Sequence, residues 1–218
     1  MKIIVYTVNI GGYDKLNHSP LHIFPQIDQS EYEFLYFTDG EAPKGWTKVE
    51  HKTGGRKDSR FYKINSHLLP PHDVSIYLDA CYVIHKPFFQ LTSLVENADI
   101  ALCKHWHGTL ANHAEMVVKL NLDTEEVVSE QMKRYGDVNA PLTENGLIIR
   151  RNNDKIKELN EMWWAEYQIG SQRDQFSLPY VIEQVKPIVN YTKFSARENK
   201  WMTWRPEHLK PRTINAIF

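Results

Sequence analysis

Hydrophobic positions along the chain fall into short runs cut by turn residues. Residues 3–10 (IIVYTVNI) are rich in β-branched side chains and are broken by Gly11-Gly12, which predicts a buried first strand. Residues 33–38 (EFLYFT) predict a second, closed by the turn signal Asp39-Gly40. Residues 74–78 and 99–103 (DIALC) predict a third and fourth, residues 146–150 (GLIIR) a fifth, and residues 187–189 a short sixth. Between them the period changes to that of a helix. Phe61, Ile64 and Leu68 share a helical face over residues 58–69, and Pro70-Pro71 stops that helix. Thr124 caps EEVVSEQMKRYG, with Val128, Met132 and Tyr135 on one face and Gly136 past its end. Asn153 or Asp154 opens a longer helix whose stripe is Ile156, Leu159, Trp163 and Tyr167, closed by Gly170. Ser171 opens the last, SQRDQFSLPYVIEQV, which Pro179 must bend or interrupt. Strands alternating with helices predict an α/β sandwich with its functional loops beyond the strand C-termini.

There is no internal repeat, low-complexity tract or linker, so 218 residues are expected to form one domain. From about residue 190 to 218 the periodicity weakens around Trp201 and Trp204, in a tail that either packs over the site or forms irregular surface. Twenty-six basic and 27 acidic residues give a formal net charge of -1, which excludes a partner such as nucleic acid or a membrane surface held by bulk charge. The two cysteines, Cys81 and Cys103, make no disulfide framework and no CxxC pair. MKIIVYTVNI lacks the pattern of a signal peptide and no apolar run has the length of a membrane span, so the expected compartment is the cytoplasm.

Candidate chemistry lies just after the strands. The segments GGYD from Gly11 to Asp14, TDG ending at Gly40, DAC from Asp79 and KHWH from Lys104 are all expected at one sheet edge. Gly11-Gly12 permits close backbone approach to a ligand, but it lacks the spacing of GxGxxG or a P-loop, which argues against a dinucleotide dehydrogenase or an ATPase. Arg60, Lys63 and His67, spaced three and four apart, fall on one helix face, and Arg56 extends it if the helix starts early. Such a stripe suits a diphosphate, with each charge-assisted bond contributing roughly 1.5–3 kcal/mol. It also reads as a solvated basic face.

SIYLDACYVIH is a short buried strand ending in Asp79, a carboxylate placed to ligate Mg²⁺ or Mn²⁺, with Cys81 where a second acid would stand. A turn or cap role for Asp79 is the alternative. His105 and His107 are two apart, like a metal pair, but no third ligand follows at a recognisable spacing. The reading favours substrate hydrogen bonding for His105 and a structural role for His107, with His113 on the following helix. Ser171 and Asp174 resemble a capping box, while a helix start also presents an acid to a pocket, where Asp174 would orient an acceptor hydroxyl or stabilise an oxocarbenium-like centre. Both readings of Asp174 stand at this point.

Taken in order, several segments resemble the glycosyltransferase-like domain of plant proteins linked to seed mucilage and cell-wall regulation, long regarded as a domain of unknown function. YTVNIGGYDKLNHSP is similar to its opening strand and Gly-x-Tyr-Asp-x-Leu turn. RFYKINSHLLPPHDVSIYLDA, KHWH with Glu115 downstream, ENGLIIRRN and SQRDQFSLPYV resemble its later motifs, so the likeness runs from about Tyr6 to Tyr180. It implies a GT-A-like (Rossmann-like) nucleotide-sugar fold, with a mixed central sheet flanked by helices.

The expected function is therefore transfer of a sugar from a nucleoside diphosphate sugar to a hydroxyl of a glycan, lipid-linked saccharide or small acceptor. Gly11, Tyr13, Asp14 and Asp39 would lie near the base and ribose, and Arg60, Lys63 and His67 at the diphosphate. Asp79 would hold a divalent ion (Mn²⁺ or Mg²⁺) or bond the donor directly. His105, Glu144 and Asp174 would line the sugar and acceptor side, with Asp174 nearest the anomeric carbon. A binding module of the same fold without turnover is the alternative. A nucleotidyltransferase or sugar-nucleotide hydrolase is disfavoured, because the chain has neither a glycine-rich phosphate loop nor a cluster of metal-binding acids.

Overall fold

A computed structural model of the chain describes residues 1–12, 14, 30–50, 56–86 and 89–206. Strand β1 (Ile3–Asn9) is buried throughout and lies parallel to both β2 (Tyr32–Thr38) and β4 (Val74–Leu78). β3 (Thr47–Glu50) adds to β2 at one edge. Past β4 comes β7 (Thr143–Arg151), antiparallel to its neighbours β4 and β6 (Ile100–Lys104), and β8 (Val189–Thr192) closes the far edge. The sheet is thus mixed, seven strands in the order β3-β2-β1-β4-β7-β6-β8.

The period of two along β1 decides which core each residue joins. Ile3 and Val5 pack with Phe34, Tyr36, Ile76 and Leu78 on one face. Ile4, Tyr6 and Val8 pack on the other against α4 (Asp154–Ile169) and α5 (Asp174–Val185), through Leu159, Trp163, Leu178 and Val181. α2 (Leu110–Lys119) and α3 (Glu125–Tyr135) enclose a smaller cluster around Leu142 and Phe176.

The reversal of β7 matters most for function. Its N-terminal end lies against the C-terminal ends of β4 and β6, with Leu78 opposite Leu147 and Lys104 opposite Thr143. Glu144, Asn145 and Gly146 therefore reach the same edge as Asp79 and His105, although they precede their strand's core instead of following it. A second, two-stranded sheet pairs β5 (Tyr82–Ile84) antiparallel with β9 (Met202–Trp204) and fastens the C-terminal segment beside that edge. The short sixth strand expected at residues 187–189 lies at Val189–Thr192, inside the stretch expected to begin a tail, and joins the main sheet.

Two expectations are corrected. The helix expected over residues 58–69 is α1 (Arg56–Ile64); Asn65, at φ -90° and ψ 54°, breaks it, and Ser66–Leu68 form a 3₁₀ turn. The last helix starts at Asp174 instead of Ser171, whose hydroxyl bonds the Asp123 carboxylate 2.8 Å away. Of the two outcomes expected at Pro179, a bend or an interruption, the interruption does not occur: the helix runs on to Val185.

The break after α1 is held by Arg150, which is fully buried. Its guanidinium donates to the carbonyls of Lys63 (2.7 Å) and Ile64 (2.8 Å), to Asn160 Oδ1 (3.0 Å) and to the Tyr6 hydroxyl. The last carbonyls of a helix lack partners of their own and carry its partial negative charge, so a buried cation is well placed there. Burial pushes the Tyr6 hydroxyl up to about 12 against the pull of Arg150, so the phenol stays protonated and itself donates to Lys63 O at 3.1 Å. Arg150→Met leaves the Ile64 carbonyl unpaired inside the protein and Lys63 O with the Tyr6 hydroxyl alone; a loss of about 1–3 kcal/mol is expected, to be read from urea denaturation midpoints.

Candidate active site

The site is organised around Asp174, the first residue of α5, which is only 5% exposed. Lys63 Nζ lies 2.9 Å from its Oδ2 and Arg60 Nε 2.9 Å from its Oδ1. Both cations project from α1, one turn apart, as their spacing predicts. The Asn145 amide approaches Oδ2 at 3.4 Å, oriented by the Thr143 hydroxyl, which donates to Asn145 Oδ1 at 2.7 Å. Burial alone would raise the Asp174 pKa, but Lys63 and Arg60 outweigh it and hold the carboxyl well below the usual range. Asp174 is therefore no capping-box acid; its side chain is committed to ion pairs.

Lys63 also lies 3.3 Å from Asp79 Oδ1, which accepts a 2.7 Å bond from the Tyr77 hydroxyl. Asp79 Oδ2 has no hydrogen-bond partner among the described residues. It borders an open cavity of about 160 Å³, walled also by Tyr82, Glu144, Arg173, Arg197 and Trp204. A side chain at Gly146 would put a Cβ 2.6 Å from the Tyr82 hydroxyl oxygen and 3.1 Å from Asp79 Oδ2, so only glycine lets these groups converge. Glu144 Oε1 pairs with Arg197 Nε at 2.9 Å, whereas Oε2 is buried without a partner among the described residues. Burial raises the Glu144 pKa, and Arg197 only partly offsets this. The guanidinium of Arg197 in turn stands 5.0 Å over the Trp204 ring.

Behind this wall three histidines meet. The His107 backbone N–H donates to His105 Nδ1 at 3.0 Å, and His107 Nδ1 lies 3.2 Å from His113 Nδ1. Burial, then neighbouring histidines and Arg197 and Arg173, lowers His105 to about 3. Burial and Arg173 lower His113 to about 4. Both rings are neutral near pH 7.

The remaining expected residues separate into two groups. At the ends of β1 and β2, Asp39 accepts from the Gly11 N–H through both oxygens, at 2.9 and 3.0 Å, with Gly11 at φ 78°. Asn9 Oδ1 accepts from the Asp14 N–H at 3.1 Å. These loops share the sheet edge but do not line the cavity, and Tyr13 lies outside the described residues. His67 leaves the face of Arg60 and Lys63, because the helix ends before it. Its ring contacts Asn160 Nδ2 at 3.3 Å and is absent from the cavity wall.

Trp204 lines the cavity, while Trp201 packs against the core beside Phe194. Tyr77, Tyr82, Asn145, Arg173 and Arg197 join the site without having been expected there. Arg173 adjoins Asp174 and is within reach of the SQRDQ motif; Arg197 stands in a segment with no periodicity to mark it.

No family profile matches the sequence, and no curated protein matches it, so the likeness to the plant mucilage-linked family has no support from sequence comparison. Solved structures do match in shape. The galactosyltransferase LgtC, in complex with donor and acceptor sugar analogues, superposes with a TM-score of 0.51 at 10% identity, over 87% of this chain and 73% of that one. A form of LgtC with one active-site glutamine changed to glutamate gives 0.52 at 10% identity, over 87% and 72%. The bifunctional glycosyltransferase WbbM gives 0.53 at 12% identity, over 88% of this chain and 38% of that one. The chain has the GT-A fold. In this GT-A sheet the Asp174 cluster and the cavity lie at the edge where β4 and β6 end. Among the described residues no helix is long and apolar enough to cross a membrane.

Asp174→Asn leaves Arg60 without a counter-charge and Lys63 with Asp79 alone, at an expected cost of about 3 kcal/mol at pH 7. The folded pKa of Asp174 is depressed, so its contribution is present above the unfolded value of about 3.9 and is lost as pH falls towards the folded one. Thermal melts of wild type and variant should therefore differ fully at pH 7 and converge progressively below about pH 4.

Proposed function

We propose that the chain is a glycosyltransferase that moves a sugar from a nucleoside diphosphate donor to a hydroxyl of a saccharide or other acceptor. The observation that supports this most is the cavity wall, where Arg60, Lys63, Arg173 and Arg197 meet Asp79, Glu144 and Asp174 on a GT-A sheet edge. Four cations against three carboxylates leave an excess of positive charge, which suits a diphosphate leaving group.

Lys63 is 3% exposed and shared between two carboxylates, so direct phosphate contact falls to Arg173 and Arg197, with Arg60 and Lys63 supplying the field behind them. Gly11, Tyr13, Asp14 and Asp39 take the base and ribose, at the neighbouring strand ends. Trp204 offers an apolar face to the sugar ring. Asp174 stays ionised and weakly basic, so its role is electrostatic: it fixes the two α1 cations and stabilises positive charge at the anomeric carbon. Glu144, with a raised pKa and an unpartnered Oε2, is the better proton acceptor for the incoming hydroxyl. His105 is neutral and outside the cavity wall, and would serve the acceptor as a hydrogen-bonding group.

A Mg²⁺ or Mn²⁺ ion commonly uses one or two carboxylates and completes its shell with waters and phosphate oxygens. The single unengaged oxygen of Asp79 fits that mode, and an ion held there would offset charge on the departing diphosphate. Buried Cys81, whose thiol burial pushes up, adds no oxygen donor.

A panel of UDP-, GDP- and CDP-sugars, with Mn²⁺, Mg²⁺ or EDTA, tests the reading. Thermal stabilisation by one donor and slow release of nucleoside diphosphate are expected. If release requires the ion and Asp79→Asn abolishes it, Asp79 is a ligand; release undiminished in EDTA assigns the phosphates to the arginines. Donor binding without hydrolysis or transfer to any of a set of saccharides would favour the binding-module reading. If no donor binds, the transferase reading is wrong. Once a transfer assay exists, kcat is expected to rise with pH through the raised pKa of Glu144, and Glu144→Gln should lower it by about 10²–10⁴-fold and remove that rising limb.

A further inference from the structure

We propose that His105, His107 and His113 form a binding site for a transition-metal dication of the zinc class, separate from the oxygen-donor position at Asp79. Each ring offers one nitrogen, and the three ligand atoms lie within 4.8 Å of one another. The 3.2 Å between His107 Nδ1 and His113 Nδ1 is close to the roughly 3.3 Å edge of a tetrahedron built on metal–nitrogen bonds of about 2.0–2.1 Å. Nitrogen donors of this kind select zinc, cobalt or nickel over magnesium and calcium. Three histidines leave a fourth position open.

The chain presents these rings in a defined way. Lys104 ends β6, and Gly108, at φ 75°, turns the chain back so that α2 starts beside it. His113, 3% exposed, is thereby set against the two residues of the preceding loop. The His107 N–H donates to His105 Nδ1, so the neutral ring carries its proton on Nε2, and ligation through Nδ1 takes that lone pair from the main-chain donor. Trp106 lies over the loop, its ring centroid 3.8 Å from that of His107.

Without an ion the Nδ1 contact between His107 and His113 needs one proton and one lone pair. An ion that takes both Nδ1 lone pairs replaces that contact and places the proton of each ring on Nε2, and both Nε2 atoms are buried with no hydrogen-bond partner among the described residues. Neutral imidazoles are the form that ligates, and all three histidines have lowered pKa values. The charged groups facing them are mostly cationic: Arg197 acts on His105 and His107, and Arg173 on His105 and His113, with Asp174 the opposing charge on His113. That field opposes a bare dication and favours an anion, hydroxide or carboxylate, at the fourth position.

The test titrates the full chain, stripped with a chelator, with Zn²⁺ by calorimetry and with Co²⁺ by visible absorption. One ion per chain and the intense spectrum of tetrahedral Co²⁺ are expected, with no competition from millimolar Mg²⁺. His107→Ala, on the loop, and His113→Gln should each weaken Zn²⁺ binding by at least roughly 10–100-fold. Asp79→Asn should leave it unchanged. Circular dichroism checks each fold; if His113→Gln does not fold, His107→Ala decides alone. Absence of stoichiometric Zn²⁺ binding, affinity unaltered in His107→Ala, or loss of binding in Asp79→Asn would each overturn the assignment.

Discussion

The contact on which the site depends is the buried pairing of Asp174 with Lys63 and Arg60. Its carboxylate sits at the start of α5 and its cations on α1, more than a hundred residues earlier, so the pairing sets where two helices stand relative to the sheet edge. Lys63 reaches on to Asp79 and links both helices to the end of β4. Arg150 then holds the backbone of Lys63 from beneath, through the carbonyls that end α1. Removing either acid or cation exposes the remaining charges to a medium that solvates them poorly, which makes the arrangement rigid more than it makes it stable. Rigid, pre-oriented charge is also what stabilises a developing diphosphate without reorganisation.

The fold was legible where packing imposes a period. β1, β4 and α4 carry their burial in the spacing of Ile3, Val5, Ile76, Leu159 and Trp163, and the structure places these residues in the two cores as the pattern predicts. The strand ends placed Asp79 at the edge of the sheet, beside the cavity. Local signals were less informative where a long-range partner decides. Ser171 and Asp174 have the form of a capping box, yet Asp123 claims the serine and two α1 cations claim the acid. His67 has the spacing of a helical neighbour of Lys63, but Arg150 and Asn160 organise a helix end before it.

The site was legible in part for the same reason. Asp79, Arg60, Lys63 and Asp174 adjoin regular elements, and their convergence follows from strand order. Glu144 and Asn145 reach the edge only because β7 runs against its neighbours, a direction that no stretch of side chains announces. His113 joins His105 and His107 through a turn at Gly108, across a spacing that belongs to no familiar metal motif. Arg197 and Trp204 depend on the pairing of β5 with β9, two strands of three residues each, too short to show a period.

That last pairing has a consequence for biogenesis. A ribosome delivers the chain from its N-terminus, so the strands up to β8 emerge before Arg197 and Trp204 exist. A nascent chain can assemble the seven-stranded sheet and its helices while one wall of the cavity is still missing. Competence to enclose a ligand then arrives late and abruptly, when β9 zips onto β5, and the same segment brings Ala196 and Met202 to complete the core on that face.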